Sequence, residues 1–456
     1  MTILPCPAKA QEYVSVDDSR EYTTYVIKWY EDLSEVAQAF GVSEEDILRY
    51  NGLESAREAK KVKTIKIPKK GVALPQQRPE TARADTTAAA AAPEEGTFIQ
   101  KVEDAAERID SIFEQLSPEA HMALVMPFTG EGQSDSYYDF YSGVLMAVRD
   151  LGQTGVKTDL SVFDYNEDGE RLQKTDLNGF DFILGPVSKE QLESVVRITP
   201  ERTVVVSPLD PKGFSIADSC SHFIQAPTAA DRQYEDAVEW LKADLQPGDK
   251  VILMKESKAA AHPMEQHMTL SGMEYKEICY DILEGRDIAG QMEKIAEGGG
   301  VLRAVISSEN EAFVNDAVRN LNLMTFRGYA VELYSTSKMR NFSTIEAEAF
   351  HNVNLHMSTT YFINYDSDRI KNFLLTYRAL FECEPGPFAY QGYDITSCLL
   401  STRYQYRSAW KRELEGITYR GLQTSFRFGH DGGKGLTNHA VRRVIYGKDF
   451  SITEKY

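Results

Sequence analysis

No stretch of this chain approaches the roughly 20 consecutive apolar residues that a membrane-spanning helix needs, so past its extreme N-terminus nothing in it is written to cross a bilayer. Cysteine is scarce, with five in 456 residues and no C-x-x-C pair, which excludes a disulfide framework and offers no zinc or redox motif. Cys220, Cys279, Cys383 and Cys398 are expected to be small buried hydrophobes. Positive charge is also short: 50 Lys and Arg stand against 69 Asp and Glu, a formal charge of −19. Nucleic-acid phosphates require clustered cations, so no nucleic-acid partner is expected. Catalytic signatures are missing as well. There is no G-x-S-x-G elbow. Gly429 to Gly435 lacks the spacing and the Ser or Thr of a phosphate loop and is expected to be a turn. His262 and His267 are five apart, whereas two ligands share a helix face at three or four; Pro263 instead suggests the first turn of a helix. The expectation is a non-enzyme with no metal and no cofactor.

What is present is an apolar fraction of 42%, enough for two or three cores in a chain this long. Ala8-Lys9-Ala10 before Gln11 has the A-x-A form of an export cleavage site, but only Thr2-Ile3-Leu4-Pro5 precedes Cys6, so residues 1–20 are expected to be a truncated, disordered signal remnant. That places the protein in the periplasm or cell envelope. Pro5 makes Cys6 a poor lipidation site. Residues 71–96, with the alanine run Ala88 to Ala92 and almost no large apolar side chain, are expected to be a disordered linker. In 97–118, Phe98, Val102, Ala105, Ile109, Ile112 and Leu116 form one helical stripe too short for a coiled coil. Packing on the following domain is expected, with homodimerisation as the alternative.

Before the linker, residues 21–70 read as a small module. Tyr25-Val26-Ile27 suits a strand, Leu33, Val36, Ala37 and Phe40 the inner face of a helix ended by Gly41, and Ser43 with Asp46 the start of a second helix. Asn51-Gly52 turns the chain toward the closing strand Thr64-Ile65-Lys66-Ile67-Pro68. On YVIKWYEDLSEVAQAFGVSEEDILRYNGL and TIKIP, this stretch resembles a LysM domain, a βααβ module. The resemblance implies binding to peptidoglycan glycan strands through Tyr30, Glu31, Asp32 and Leu33 in one loop and Asn51, Gly52 and Leu53 in the other. It departs from the family where Tyr30-Glu31-Asp32 replaces Gly-Asp-Thr and where Val62 replaces a glycine.

From Ala123 onward, short apolar runs alternate with amphipathic helices: ALVMPF, LSVFDY, FDFILGP and TVVVSP, then KVILM, RAVISS and GYAVELY. Such alternation means βαβ units, and its restart means two doubly wound, parallel-sheet α/β lobes. On ALVMPFTG, FDFILGPVS, TVVVSPLD and FAYQGYDITSCLL, the segment 119–456 resembles type I periplasmic-binding proteins of the branched-chain amino-acid receptor class. The expected lobes are 119–226 with 357–415, and 227–356 with 416–456. Ligands of open parallel sheets sit at the carboxyl ends of strands, so Thr129, Ser188, Leu209, Asp210, Ser307, Ser308, Glu332 and Tyr334 are the expected cleft residues. Pro211 stands where the receptors carry a threonine and removes both a hydroxyl and an N–H donor. A plain amino-acid ligand is therefore not expected. The functional expectation is a protein that joins peptidoglycan through its first module and binds a small ligand or an envelope partner through the second. The alternative is a ligand-free scaffold that regulates cell-wall synthesis enzymes.

Overall fold

The computed structural model describes residues 22–26, 33, 37, 42–53, 64–68, 101–105, 120–130, 132–284 and 287–455. The expectations for 1–20 and 71–96 lie outside them. The chain divides into two compact units, Met1–Pro93 and Glu94–Tyr456.

In the first unit, β1 (Tyr22–Val26) pairs antiparallel with β2 (Thr64–Pro68). Leu33 and Ala37, one turn apart and both helical, are buried with Ile47, Ile65 and Ile67. Helix Glu44–Asn51 starts at Ser43, whose Oγ accepts the Asp46 N–H at 3.0 Å, and its first turn carries Glu44, Glu45 and Asp46 where the helix dipole favours negative charge. It stops at Gly52, whose φ of 65° suits a residue without Cβ.

In the second unit, β3 (Ala120–Met126), β4 (Thr158–Asp164), β5 (Phe182–Leu184), β6 (Val204–Ser207) and β7 (Phe223–Gln225) form a parallel sheet in the order β4-β3-β5-β6-β7. The other lobe repeats that order with β8 (Lys250–Glu256), β9 (Lys276–Tyr280), β10 (Leu302–Ser307), β11 (Val331–Thr336) and β12 (Leu355–Thr359), arranged β9-β8-β10-β11-β12. The inner strands of each sheet are buried on both faces, which is why β3, β6 and β10 read as largely apolar runs. Along β3, Met122, Leu124 and Met126 enter one core while Ala123 and Val125 enter the core on the opposite face.

The chain crosses between the lobes three times, near 226–230, 360–367 and 439–441. Two wound sheets of this order joined by three crossovers are the type I periplasmic-binding architecture. The sheets are mixed at one edge. A separate ribbon pairs β13 (Tyr419–Arg420) antiparallel with β14 (Ser425–Phe426). In the first sheet, β15 (Phe428–Gly429) and β16 (Leu436–Asn438) extend beyond β7; in the second, β17 (Arg442–Tyr446) and β18 (Ile452–Lys455) run antiparallel beyond β12. Residues 416–438, expected in the second lobe, thus belong to the first, because β16 pairs with β7.

The first lobe is fastened by two helices, Asp135–Gln153 and Pro387–Tyr406, which cross where Gly143 and Gly392 let the backbones touch. A Cβ on Gly143 would lie 1.9 Å from the Ala389 carbonyl oxygen, and one on Gly392 would lie 2.2 Å from that of Phe140. Asp394, fully buried on the second helix, accepts the N–H groups of Leu422, Gln423 and Thr424 at 2.5, 2.8 and 2.8 Å. Of the 97–118 stripe, 101–105 is described: Val102 and Ala105 are buried against Leu145, Met146 and Phe373. Among the described cysteines only Cys398 is fully buried; Cys220, Cys279 and Cys383 are half-buried thiols. Their partial burial corrects the expectation for them: Cys220 and Cys383 sit at the margins of their cores, and Cys279 is near the Ser257 hydroxyl at 3.6 Å.

Candidate functional site

The carboxyl ends of the strands of both lobes face the region where a ligand of this architecture would sit, so the question is what their side chains are doing. Thr129 follows β3 and donates its hydroxyl to Asp164 Oδ2 at 2.6 Å, while its carbonyl is held by Asn166. Beside it, Phe128 packs its ring against Tyr138 and Tyr141 at 4.9 and 5.9 Å, filling the mouth of the strand with aromatic surface.

Ser188 is the N-cap of helix Lys189–Ile198 in a full capping box, its Oγ accepting the Gln191 N–H while the Gln191 side chain accepts the Ser188 N–H, both at 3.3 Å. Asp210 likewise caps the short 3-10 turn opened by Pro211, accepting the Lys212 N–H at 2.8 Å. The loop between β6 and that turn is closed from behind. Gln225 donates to the Asp210 carbonyl at 2.6 Å, and Gln391 donates to the Pro208 carbonyl at 2.9 Å. Leu209 lies against the core of the first lobe.

In the second lobe, Ser308 Oγ accepts the Asn310 N–H at 3.0 Å, ahead of helix Glu311–Phe326. Ser307 keeps a hydroxyl without a protein partner, but the residue is 2% exposed and lies beneath the surface. Glu332 and Tyr334 stand elsewhere. They are the second and fourth of the six residues of β11 and belong to a network around Arg303. Arg303 donates to Asp249 at 2.8 Å, to the Tyr334 hydroxyl at 2.6 Å and to Glu332, and the Tyr334 hydroxyl donates to Asp244 at 3.1 Å. Tyr334 is fully buried against Trp240, and burial pushes its phenol far above the ordinary range. The burial of Tyr334 corrects the expectation that it faces the cleft; Glu332, half-buried, is held beside it by Arg303.

A group that sequence reasoning missed lies at the carboxyl ends of β10 and β11. Tyr234 donates to Glu309 at 3.2 Å, Lys338 pairs with the same carboxylate, and His262 stands edge-on to the Tyr234 ring at 5.3 Å. His262 also caps helix Pro263–Leu270 by accepting the Met264 N–H at 3.2 Å, and burial lowers its pKa, which keeps it neutral. The pocket around them encloses about 20 Å³, roughly one water molecule. The residues that build it come from 234, 262, 309 and 338, and no local motif links those positions.

In the first unit, Tyr30, Glu31 and Asp32 lie outside the described residues. Leu33 is fully buried and Leu53 packs on the same core. The Asn51 amide is a staple: its Nδ2 donates to the Ile47 and Lys66 carbonyls at 2.7 and 2.6 Å, and its Oδ1 accepts the Lys66 N–H at 2.7 Å. Among the described residues no helix is long and apolar enough to cross a membrane, and no three His, Cys, Asp or Glu side chains gather as a metal set.

No protein-family model and no curated protein matches the sequence. Solved structures of similar outline do exist. One is a protein assigned to branched-chain amino acid ABC transport in Rhodospirillum rubrum, 15% identical over 74% of this chain and 99% of that one, with a TM-score of 0.49. A substrate-binding protein of Desulfitobacterium hafniense in complex with Leu is 14% identical over 74% and 99%, with a TM-score of 0.38. The C-domain of LpoA from Haemophilus influenzae, described as a regulator of PBP1A, is 14% identical over 74% and 100%, with a TM-score of 0.45.

Proposed function

We propose that this chain is a non-enzymatic cell-envelope protein whose two-lobed domain works as a regulatory scaffold for a cell-wall synthesis enzyme and does not capture an amino acid. One observation carries the reading. The polar groups at the strand ends that would receive a ligand's carboxylate and amine are already used by the chain itself, Ser188 and Asp210 as caps, Ser308 on the Asn310 N–H and Thr129 on Asp164. Recruiting them for a ligand would strip helix and turn starts of their N–H acceptors, at about 0.5–2 kcal/mol each. Asp210 also brings negative charge to the place where a carboxylate would sit, and Pro211 has no N–H to offset it. The strand mouths are occupied by Phe128 with its tyrosine neighbours and by the Tyr234–Glu309–Lys338 group.

In the same proposal the first unit is a LysM module that holds the chain on peptidoglycan. Its strand order, its buried Leu33, Ala37 and Ile47 and its Asn51 staple support such a module. With Asn51 and Leu33 committed to the fold, glycan contact falls to Tyr30, Glu31 and Asp32.

The test is reconstitution with the bifunctional peptidoglycan synthase of the same cell. Addition of the full chain is expected to raise the rate of peptide cross-linking in a purified assay. An unchanged rate, with no association by sedimentation, refutes the scaffold reading.

A further inference from the structure

A cavity rich in cations lies beside the crossovers, and none of Thr129, Ser188, Asp210 or Ser308 lines it. It holds about 490 Å³, a volume suited to a small organic ligand, and takes its walls from both lobes. Six cations line it: Arg369, Arg420 and Arg427 from the first lobe, and Arg442, Arg443 and Lys455 from the last two strands of the second. Two carboxylates, Asp236 and Glu454, stand among them. A surplus of four positive charges in one cavity runs against the −19 of the whole chain.

The cations divide by partner. Arg443 is held by Asp236 at 2.9 Å, Arg442 by Glu454 at 2.7 Å and Lys455 by Asp244 at 2.9 Å. These pairs fix the floor, and Arg442 further ties the second and third crossovers by donating to the Phe362 and Gly421 carbonyls. Arg369 and Arg427 differ. Both are exposed, and among the described residues neither reaches a carboxylate: Arg369 touches the Arg420 carbonyl at 3.3 Å and Arg427 the His439 carbonyl at 3.2 Å. The Arg442 Nε–H is buried with no protein acceptor. Guanidinium forks are suited to oxyanions that accept two parallel hydrogen bonds, and partly walled clefts strengthen the field of such a group.

We propose that this cavity binds the phosphate group of a small soluble phosphate ester, with Arg369 and Arg427 as the anion-binding side chains. A phosphate monoester carries nearly two negative charges and three acceptor oxygens, so it can meet guanidiniums from several walls, whereas one carboxylate matches one fork. The volume exceeds that of a bare phosphate and leaves room for the esterified part. Because the walls belong to both lobes, an occupant touches the segment about which the lobes would move. The inference is independent of the scaffold reading, which concerns Thr129, Ser188, Asp210 and Ser308, none of which lines this cavity.

The experiment titrates the full chain with pyrophosphate, and separately with citrate, by calorimetry at a matched ionic strength of about 0.15 M, where screening is equal. Pyrophosphate is expected to bind, and the double variant R369Q/R427Q to weaken it about tenfold or more, the scale of one or two charge-assisted hydrogen bonds. R197Q, which removes one exposed arginine on another face, is expected to bind as the unaltered chain does. Equal melting temperatures of the variants without pyrophosphate verify that they fold. Absence of binding, an unaffected R369Q/R427Q, or citrate binding as tightly as pyrophosphate would each overturn the proposal.

Discussion

Replacing Gly143 by alanine sets two effects of opposite sign against each other. Mid-helix, alanine is favoured over glycine by about 0.8–1 kcal/mol, so propensity alone foretells a more stable protein. The structure foretells the reverse. The new Cβ would stand 1.9 Å from the Ala389 oxygen, 2.8 Å from its carbonyl carbon and 2.9 Å from the Tyr393 nitrogen, all backbone atoms of the facing helix. Ordinary carbon contacts lie near 3.5 Å, so the helices must part by roughly 1.5 Å, and no side-chain rotation can spare them. Overpacking of this kind costs about 1–3 kcal/mol, and separated surfaces lose a further quarter to half of their dispersion contacts. Sterics therefore win by up to about 2 kcal/mol, to which the lost dispersion contacts add. Urea unfolding followed by circular dichroism should show the midpoint of the first lobe lowered by about 0.5–1 M. A midpoint equal to or above that of the unaltered chain would refute the close helix crossing. Because Gly392 faces the Phe140 carbonyl across the same contact, G143A/G392A should cost less than the sum of the single changes, the helices having already parted.

Asp394→Ala removes the acceptor of three buried N–H groups and should destabilise the first lobe by about 3 kcal/mol or more, read as a lowered melting temperature. Asn51→Ala should loosen the first unit selectively, with faster hydrogen exchange at the Lys66 amide and none of that change in the β3 amides. Burial alone would raise the Asp249 pKa, but the Val301 N–H, the Arg303 guanidinium and the Gln246 N–H outweigh it and hold the carboxyl below its usual range. Its contribution to stability is thus complete above the ordinary aspartate pKa and is lost as pH falls through the depressed one. Asp249→Asn should destabilise the second lobe at neutral pH, and its deficit relative to the unaltered chain should shrink in acid; a deficit constant from pH 7 to pH 3 would contradict the ion pair with Arg303.

The lobes were legible because each inner strand is wrapped on both faces, leaving runs such as Val204–Ser207 and Leu302–Ser307 buried throughout and mostly apolar. The stretch 416–438 was not, because its strands are two or three residues long and their partners are remote: β16 finds β7 some two hundred positions earlier. Ser188 was half legible. A serine followed three residues later by Gln191 is a capping box as much as a ligand loop, and the geometry makes it a cap. Glu332 and Tyr334 share a face by strand alternation, but the Trp240 ring and the Arg303 charge that bury them come from other elements. The arginine cavity has no local signature at all, since its members are spread from 369 to 455 and meet only when the crossovers form.

The central claim is that the cleft groups serve the fold and not a free amino acid. Thermal unfolding of the full chain in leucine, isoleucine, valine and a panel of other amino acids, each at 1 mM, tests it most directly. A receptor with micromolar affinity would gain about 4 kcal/mol at that concentration, several degrees in melting temperature. The expected result is an unchanged transition with every amino acid. A rise of several degrees with leucine, abolished by Ser188→Ala, would contradict the account.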